Sequence, residues 1–320
     1  MELIVGIFIF CMILFIYLHV TFQLRTSNDL EVYELDNVSK SRLEDVCDIR
    51  QPVIFDYYNE HVLNAITRRN LEQVYPAFEV KVRDTKDVNK ENVSVPLQLR
   101  AALKLVNDDK KDGYYSENNG DFLQDTGAIK HMKYNDEHIR PYMVSNCNYD
   151  VIFGSENVST PLRYEINYRN YFYLTEGEAI VKLAAPKSTK YLAEYDDYEN
   201  FEFRSPINPW NVAPTHVADF DKVKCLEVKL TPGKIMFIPA YWWYSIQFGK
   251  ETTMAVFRYR TYMNNVAIVP RIAMYFLQNQ NIKRNIVRTA DTSSPVSPEK
   301  SPSLEENSII EEKNETPDKV

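Results

Sequence analysis

Near its start the chain carries an unbroken apolar run. Leu3 to Phe22 reads LIVGIFIFCMILFIYLHVTF, with no Lys, Arg, Asp or Glu. At about 1.5 Å per residue, a helix of this length matches the ~30 Å hydrocarbon layer of a bilayer. A cleaved signal peptide would want a basic start, a shorter apolar stretch and small residues before the cut. Here Glu2 precedes the run and LHVTFQLRTS closes it, so residues 1–22 are expected to be a retained single-pass anchor. Arg25 and Lys40 follow the run and no basic residue precedes it, which places the following domain on the cytosolic side. The sequons at Asn37, Asn92, Asn157 and Asn314 decide little in a chain so rich in Asn.

Beyond the anchor, residues 23–44 are polar and are expected to form a spacer. A globular stretch follows over 45–288. Helical periodicity covers Asn59–Gln73 and Pro96–Asn107, the second with Pro at the first helical position. FEVKVRD alternates as a strand does. From about 150 the pattern turns to short aromatic and β-branched runs separated by turn signals: YEINYRNYFYL, EAIVKLAA, CLEVKL, KIMFIPA and TTMAVFRYR. Many short strands at regular spacing suggest a sandwich or barrel, here with its core at about 150–262. A last helical run over 270–286 is expected to pack on the barrel or on a twin subunit, giving a homodimer through this C-terminal helix. Residues 289–320 are rich in Ser, Pro, Glu and Lys and lack aromatics, the composition of a disordered tail. Ser294, Ser297 and Ser301 each precede Pro there.

Composition narrows the function. The formal net charge of −8 argues against nucleic acid as a partner, which needs a concentrated basic face. With only 8 glycines, no GxGxxG or GxxxxGK[ST] phosphate loop occurs. Cys11, Cys47, Cys147 and Cys225 are too widely spaced for a disulfide framework and favour a reducing compartment. No CxxC, HExxH or GxSxG is present. His19 falls in the apolar run, and His131 and His138 have the wrong spacing for one helical face or one strand face.

Three segments in order carry a family resemblance. They are Thr160-Pro161-Leu162-Arg163-Tyr164-Glu165 with Asn170-Tyr171-Phe172 and Gly177, then Thr231-Pro232-Gly233 through Ile238-Pro239-Ala240-Tyr241-Trp242-Trp243-Tyr244, and the strand Thr253–Tyr259. Together they resemble the cupin-like branch of the JmjC-type oxygenases, which includes the asparaginyl hydroxylases. That family reads T-P-x-H-x-D, then N-F and a Gly, then P-G-D-x-L-x-I-P-x-x-W-W-H. Gln51–Phe55 and Tyr114-Tyr115-Ser116 resemble its N-terminal half. The resemblance implies a mainly β fold with flanking helices, a double-stranded β-helix or jelly roll. It also implies Fe(II) held by two His and one carboxylate, with 2-oxoglutarate as co-substrate.

At each implied ligand position this chain differs. The first His is Arg163, the Asp is Glu165 and the last His is Tyr244. A guanidinium has no lone pair to give a metal, and a phenol ionises only near pH ~10. Counting from Gly177, the lysine that would bind 2-oxoglutarate falls at Ala179, with Lys182 nearby, and the asparagine of the last strand falls near Phe257. Arg163 is expected to substitute for the metal cation by pairing with Glu165 and reaching Tyr244; the other placement is solvent at a loosened barrel mouth. Thr160, Tyr171, Tyr173, Ala179 and Phe257 are the candidates for a vestigial pocket, although core packing is the first reading of Tyr171 and Tyr173.

The leading expectation is therefore a membrane-anchored, catalytically inactive binding or scaffold module without a cofactor, having the membrane (through residues 3–22) and a protein as partners. The rival readings are an Fe(II)/2-oxoglutarate hydroxylase with a rearranged site, and a structural component of a membrane or virus particle.

Overall fold

The structure is a computed structural model that describes residues 2–85, 94–111, 113–198, 201–278 and 280. Contacts divide the chain into a unit Met1–Asn279 and a unit Gln280–Val320; the fold described is that of the first. The tail 289–320, its three Ser-Pro pairs and the sequons at Asn92 and Asn314 lie outside the described residues.

In chain order the strands are β1 (Tyr33–Leu35), β2 (Val53–Asp56), β3 (Glu79–Asp84), β4 (Val95–Gln98), β5 (Tyr114–Ser116), β6 (Val144–Gly154), β7 (Arg163–Tyr164) and β8 (Arg169–Glu176). They continue with β9 (Ala179–Ala184), β10 (Tyr195–Asp197), β11 (Glu202–Arg204), β12 (Cys225–Leu230), β13 (Lys234–Ile238), β14 (Trp243–Phe248) and β15 (Thr253–Thr261). One sheet of nine strands runs β1-β2-β13-β8-β15-β6-β5-β3-β4, and a facing sheet of six runs β10-β11-β7-β14-β9-β12. Over β6–β9 and β12–β15, strands consecutive in the chain alternate between the two layers and pair with strands distant in sequence, as in a double-stranded β-helix.

Side-chain alternation builds three cores. Phe172 and Leu174 of β8, Met254 and Val256 of β15, Val181 and Leu183 of β9, and Tyr244 and Ile246 of β14 fill the space between the sheets. The opposite residues of the larger sheet, Tyr171, Tyr173, Phe257 and Tyr259, pack under a helical layer that includes Leu43, Val62, Leu103 and Phe122. On the outer side of the smaller sheet, Tyr164, Phe203 and Trp243 pack with Ile268 and Ile272. Gly177 turns β8 into β9 with φ +76°, and a Cβ there would lie 2.6 Å from the Lys250 carbonyl oxygen.

Several local expectations are corrected. The stretch 23–44 is not a free spacer. Leu30 and Val32 pack on the inter-sheet core, β1 adds to the larger sheet parallel to β2, and the helix Lys40–Cys47 buries Leu43, Val46 and Cys47. The pattern over 59–73 is two helices, Glu60–Ala65 and Arg68–Val74, because the Thr67 hydroxyl caps a second start by accepting from the Asn70 amide. Pro96 does not open a helix. It lies in β4, opposite Lys81 at the margin of the sheet, and the helix begins at Leu99. A margin strand tolerates a residue that cannot donate.

The helix Glu2–Leu24 is the one described helix long and apolar enough to cross a membrane. Its covered side chains are in its last turns, where His19 and Val20 are half-buried and Gln23 is buried. It touches the helix Tyr262–Ala267, which follows β15. Residues 269–278 are again helical, and the rest of the expected run 270–286, apart from Gln280, lies outside the described residues. The four cysteines are free.

Candidate functional site

The residues at the three implied ligand positions do come together, at one mouth of the barrel. Arg163 and Tyr244 are direct partners across β7 and β14. The Tyr244 hydroxyl donates to Glu165 Oε1 at 3.1 Å, and the Arg163 guanidinium lies 5.6 Å from the Tyr244 ring centroid. All are held by strand alternation: Tyr164 between Arg163 and Glu165 points outward, stacked on Phe203.

The expected Arg163–Glu165 pair is absent, however. Arg163 instead makes two hydrogen bonds to Glu117, Nη1 to Oε1 at 2.9 Å and Nη2 to Oε2 at 2.5 Å. Glu117 follows β5 and is buried; it also meets Arg83 at 3.1 Å. Arg83 reaches on to Glu202 at 3.0 Å, and Arg204 lies against the same carboxylate. Charges thus alternate from Arg163 through Glu117, Arg83 and Glu202 to Arg204. Arg163 is 4% exposed, which also excludes its placement in solvent. Burial pushes the Glu117 carboxyl up, but Arg163 and Arg83 beside it outweigh this and hold it well below the usual range. Burial, then the neighbouring Arg83, bring Arg204 down to about 10.

Glu165 has a different cation. Arg258 Nε lies 3.3 Å from its Oε1, and Asn167 Nδ2 donates to its Oε2 at 3.1 Å. Arg258 also approaches Asp150 at 3.5 Å, whose carboxylate accepts the backbone N–H groups of Asn118 and Asn119 at 2.9 and 2.7 Å. Burial raises Asp150 in spite of Arg258. Above these groups a cavity of about 430 Å³ is lined by Arg163, Glu165, Arg258 and Arg260, with Phe201 and Tyr275 among its walls. Arg260 Nε donates to Asn167 Oδ1 at 2.6 Å, and its guanidinium lies over Phe201.

None of the five residues expected to outline a vestigial pocket lines this cavity. Tyr171, Tyr173 and Phe257 sit on the far face of the larger sheet, because the inward positions of β8 and β15 are the even-numbered ones. Tyr171 touches Cys47, and the Tyr173 hydroxyl donates to the Tyr57 carbonyl. Ala179 is packed between the sheets, opposite Leu230 and Phe248. Thr160 accepts the Ile246 amide through its hydroxyl, within the barrel wall. Lys182 is on the outer face, bonded to the Pro209 carbonyl and lying over Trp210.

Sequence reasoning missed Glu117, Arg83, Glu202 and Arg204, which are brought to Arg163 only by the folding of distant segments. Arg258 and Arg260 were readable in principle: in the run F-R-Y-R the arginines alternate with aromatics, and a shift of one position from Phe257 puts them inside.

The model of the cupin-like domain matches residues 39–264. The chain belongs to the cupin-like domain family. No curated protein matches the chain.

Iron-dependent members of the resembled oxygenase branch would bring Fe(II) to this mouth, and the residues of this cupin-like domain do not fit it. Arg163 has no lone pair. Burial pushes the Tyr244 phenol up, Arg163 only partly opposing it, so it stays protonated and donates to Glu165. Both Glu165 oxygens are already met by Tyr244, Asn167 and Arg258. Among the described residues, no three His, Cys, Asp or Glu side chains come together as a metal-holding group.

Proposed function

We propose that this chain is a membrane-anchored, catalytically inactive relative of the JmjC-type oxygenases, in which arginine–carboxylate networks stand where the asparaginyl hydroxylases hold iron. It serves as a binding or scaffold module. One observation carries the reading: Arg163, at the position of the first metal ligand, is buried and fixed to Glu117 by two hydrogen bonds. A guanidinium so held supplies positive charge to the mouth without the open coordination positions that dioxygen chemistry needs.

The remaining cavity is polar at its base and aromatic at its rim. Its arginines donate to carbonyl or carboxylate oxygens, and Glu165 and Asn167 orient them. Such a pocket suits recognition of a polar group on a partner. The helix Glu2–Leu24, apolar from Leu3 to Leu18 and with no fully buried side chain before Gln23, supports the reading of a membrane anchor, and Arg25 and Lys40 after it support a cytosolic domain.

The test is anaerobic titration calorimetry of the full chain in detergent micelles, with Fe(II) or Mn(II), with and without 2-oxoglutarate. No binding heat from folded protein is expected. Binding in the micromolar range that 2-oxoglutarate strengthens would overturn the reading in favour of a hydroxylase.

A further inference from the structure

The helices after β15 leave an apolar face uncovered. Tyr262 and Val266 stand one turn apart on the first, and Val269, Phe276 and Leu277 on the second. Phe276 is 60% exposed, Leu277 56% and Val269 54%. The other side of the second helix is already used: Ile272 packs on the outer core of the smaller sheet, Tyr275 meets Phe201 edge-on, and Arg271 pairs with Asp196 at 2.5 Å. A helix apolar on both sides is stable in water only when something covers the second side.

The N-terminal helix identifies the cover. Its last turns are seated on the domain: Gln23 is buried, Leu24 lines a cleft with Tyr241 and Arg271, and the Phe22 ring lies under the Arg50 guanidinium. The chain then enters the fold with no slack, since Leu30 and Val32 already pack on the barrel core. The helix Tyr262–Ala267 is in direct contact with this apolar helix. Packed helix axes lie about 8–10 Å apart. The headgroup region outside the hydrocarbon is only several Å deep on each side, and amphipathic helices settle about 5–10 Å into it. A helix touching the end of a membrane span is therefore already at that depth.

We infer that the uncovered face of residues 262–278 lies in the plane of the bilayer that holds Glu2–Leu24, so that the domain grips the lipid surface at a second place. This rests on the reading of Glu2–Leu24 as a membrane span. Tyr275 and Phe276 also line the cavity, so the inference sets one edge of the cavity mouth against the lipid headgroups.

The experiment uses the full chain with Cys11, Cys147 and Cys225 changed to Ser, reconstituted in phosphatidylcholine–phosphatidylglycerol vesicles. A polarity-sensitive fluorophore is attached at Phe276→Cys, at Leu277→Cys or, as reference, at Val74→Cys. Val74 is 54% exposed and ends a helix whose Arg68 bonds the Thr252 carbonyl, at the opposite end of β15. Retention in the vesicles after alkaline extraction reports on the span alone. With retention, blue-shifted emission at positions 276 and 277 that nitroxide-bearing lipids quench, and neither effect at position 74, is the expected result. Water-like emission at all three positions would overturn the inference. A blue shift that lipid nitroxides leave unquenched, together with cross-linking between protomers at position 276, would assign the face to a second copy instead. Loss of the protein on alkaline extraction would remove the span reading and the inference together.

Discussion

At Glu117 two arginines converge on one buried carboxylate, so its loss strands Arg163 and leaves Arg83 with Glu202 alone. Replacing it with Gln keeps the shape and removes the charge. Removing one partner of a buried pair costs about 3–5 kcal/mol, and for a domain of this size that lowers Tm by roughly 10 °C. Differential scanning calorimetry of E117Q checks this, and an unchanged Tm would show that the network carries no stability. Arg163→Ala is expected to destabilise comparably, while Arg163→His restores no metal binding because Arg258, Asn167 and Tyr244 still hold Glu165. The pH dependence has a definite sign. The Glu117 carboxyl is held low in the fold, so its contribution is complete above the ordinary glutamate range near ~4.3 and is lost as pH falls towards the folded value. Asp150 is shifted the other way by burial, so its cost at neutral pH eases in acid. Urea titrations of wild type and E117Q should therefore differ most at neutral pH and converge in acid, isolating Glu117 from the opposite trend of Asp150. At Tyr244 the ring and the hydroxyl do separate work. Y244F keeps the ring beside Arg163 and loses one hydrogen bond to a charged acceptor, a change of about 1.5–3 kcal/mol in the urea midpoint analysis.

Between residues and fold stand the strands, and here the sequence was most informative where alternation repeats. The barrel strands after residue 150 were legible because period-two patterns and turn residues are local signals, whereas the convergence of Arg163, Glu165 and Tyr244 was implied by the family resemblance that the PGxxxxIPxxWW segment carries. What failed depended on partners distant in the chain. The phase of β15 was misjudged by one position at Phe257, and one position exchanges the two faces of a strand completely. Pro96 was misjudged because a helix start and a margin strand both accommodate proline. Glu117 could not be assigned to Arg163 by any spacing rule. The turn at Gly177 gives an independent check on the architecture. Its positive φ disfavours any residue with a Cβ, and the Lys250 carbonyl and Thr252 backbone leave no space for one. G177A is expected to destabilise the domain by more than the ~1 kcal/mol typical of an incompatible backbone alone, read from chemical denaturation. Wild-type stability in that variant would contradict the β8–β9 geometry.

For the molecule as a whole, the decisive feature is how tightly the N-terminal helix is joined to the barrel. The composition of 23–44 suggested a tether, since polar residues dominate it, yet a few apolar side chains and one parallel strand are enough to bind it into the fold. Hydrogen–deuterium exchange can tell these apart. Amides of a tether exchange at the rate of an unfolded chain, whereas Tyr33–Leu35 should be protected, beginning with the Tyr33 amide donated to the Pro52 carbonyl at 3.0 Å.

With Glu2–Leu24 read as a membrane span, the two ends of the nine-stranded sheet bear on how copies of this protein would share a bilayer. Confinement to two dimensions raises local concentration and presents every copy in the same tilt, so exposed sheet edges would meet in register and extend into one another. At one end the outermost strand is the three-residue β1, drawn from the segment that leaves the apolar helix; at the other it is β4, with Pro96 breaking its row of donors. Both ends of this sheet are too short or too interrupted to template another strand, so copies held side by side do not extend it edge to edge.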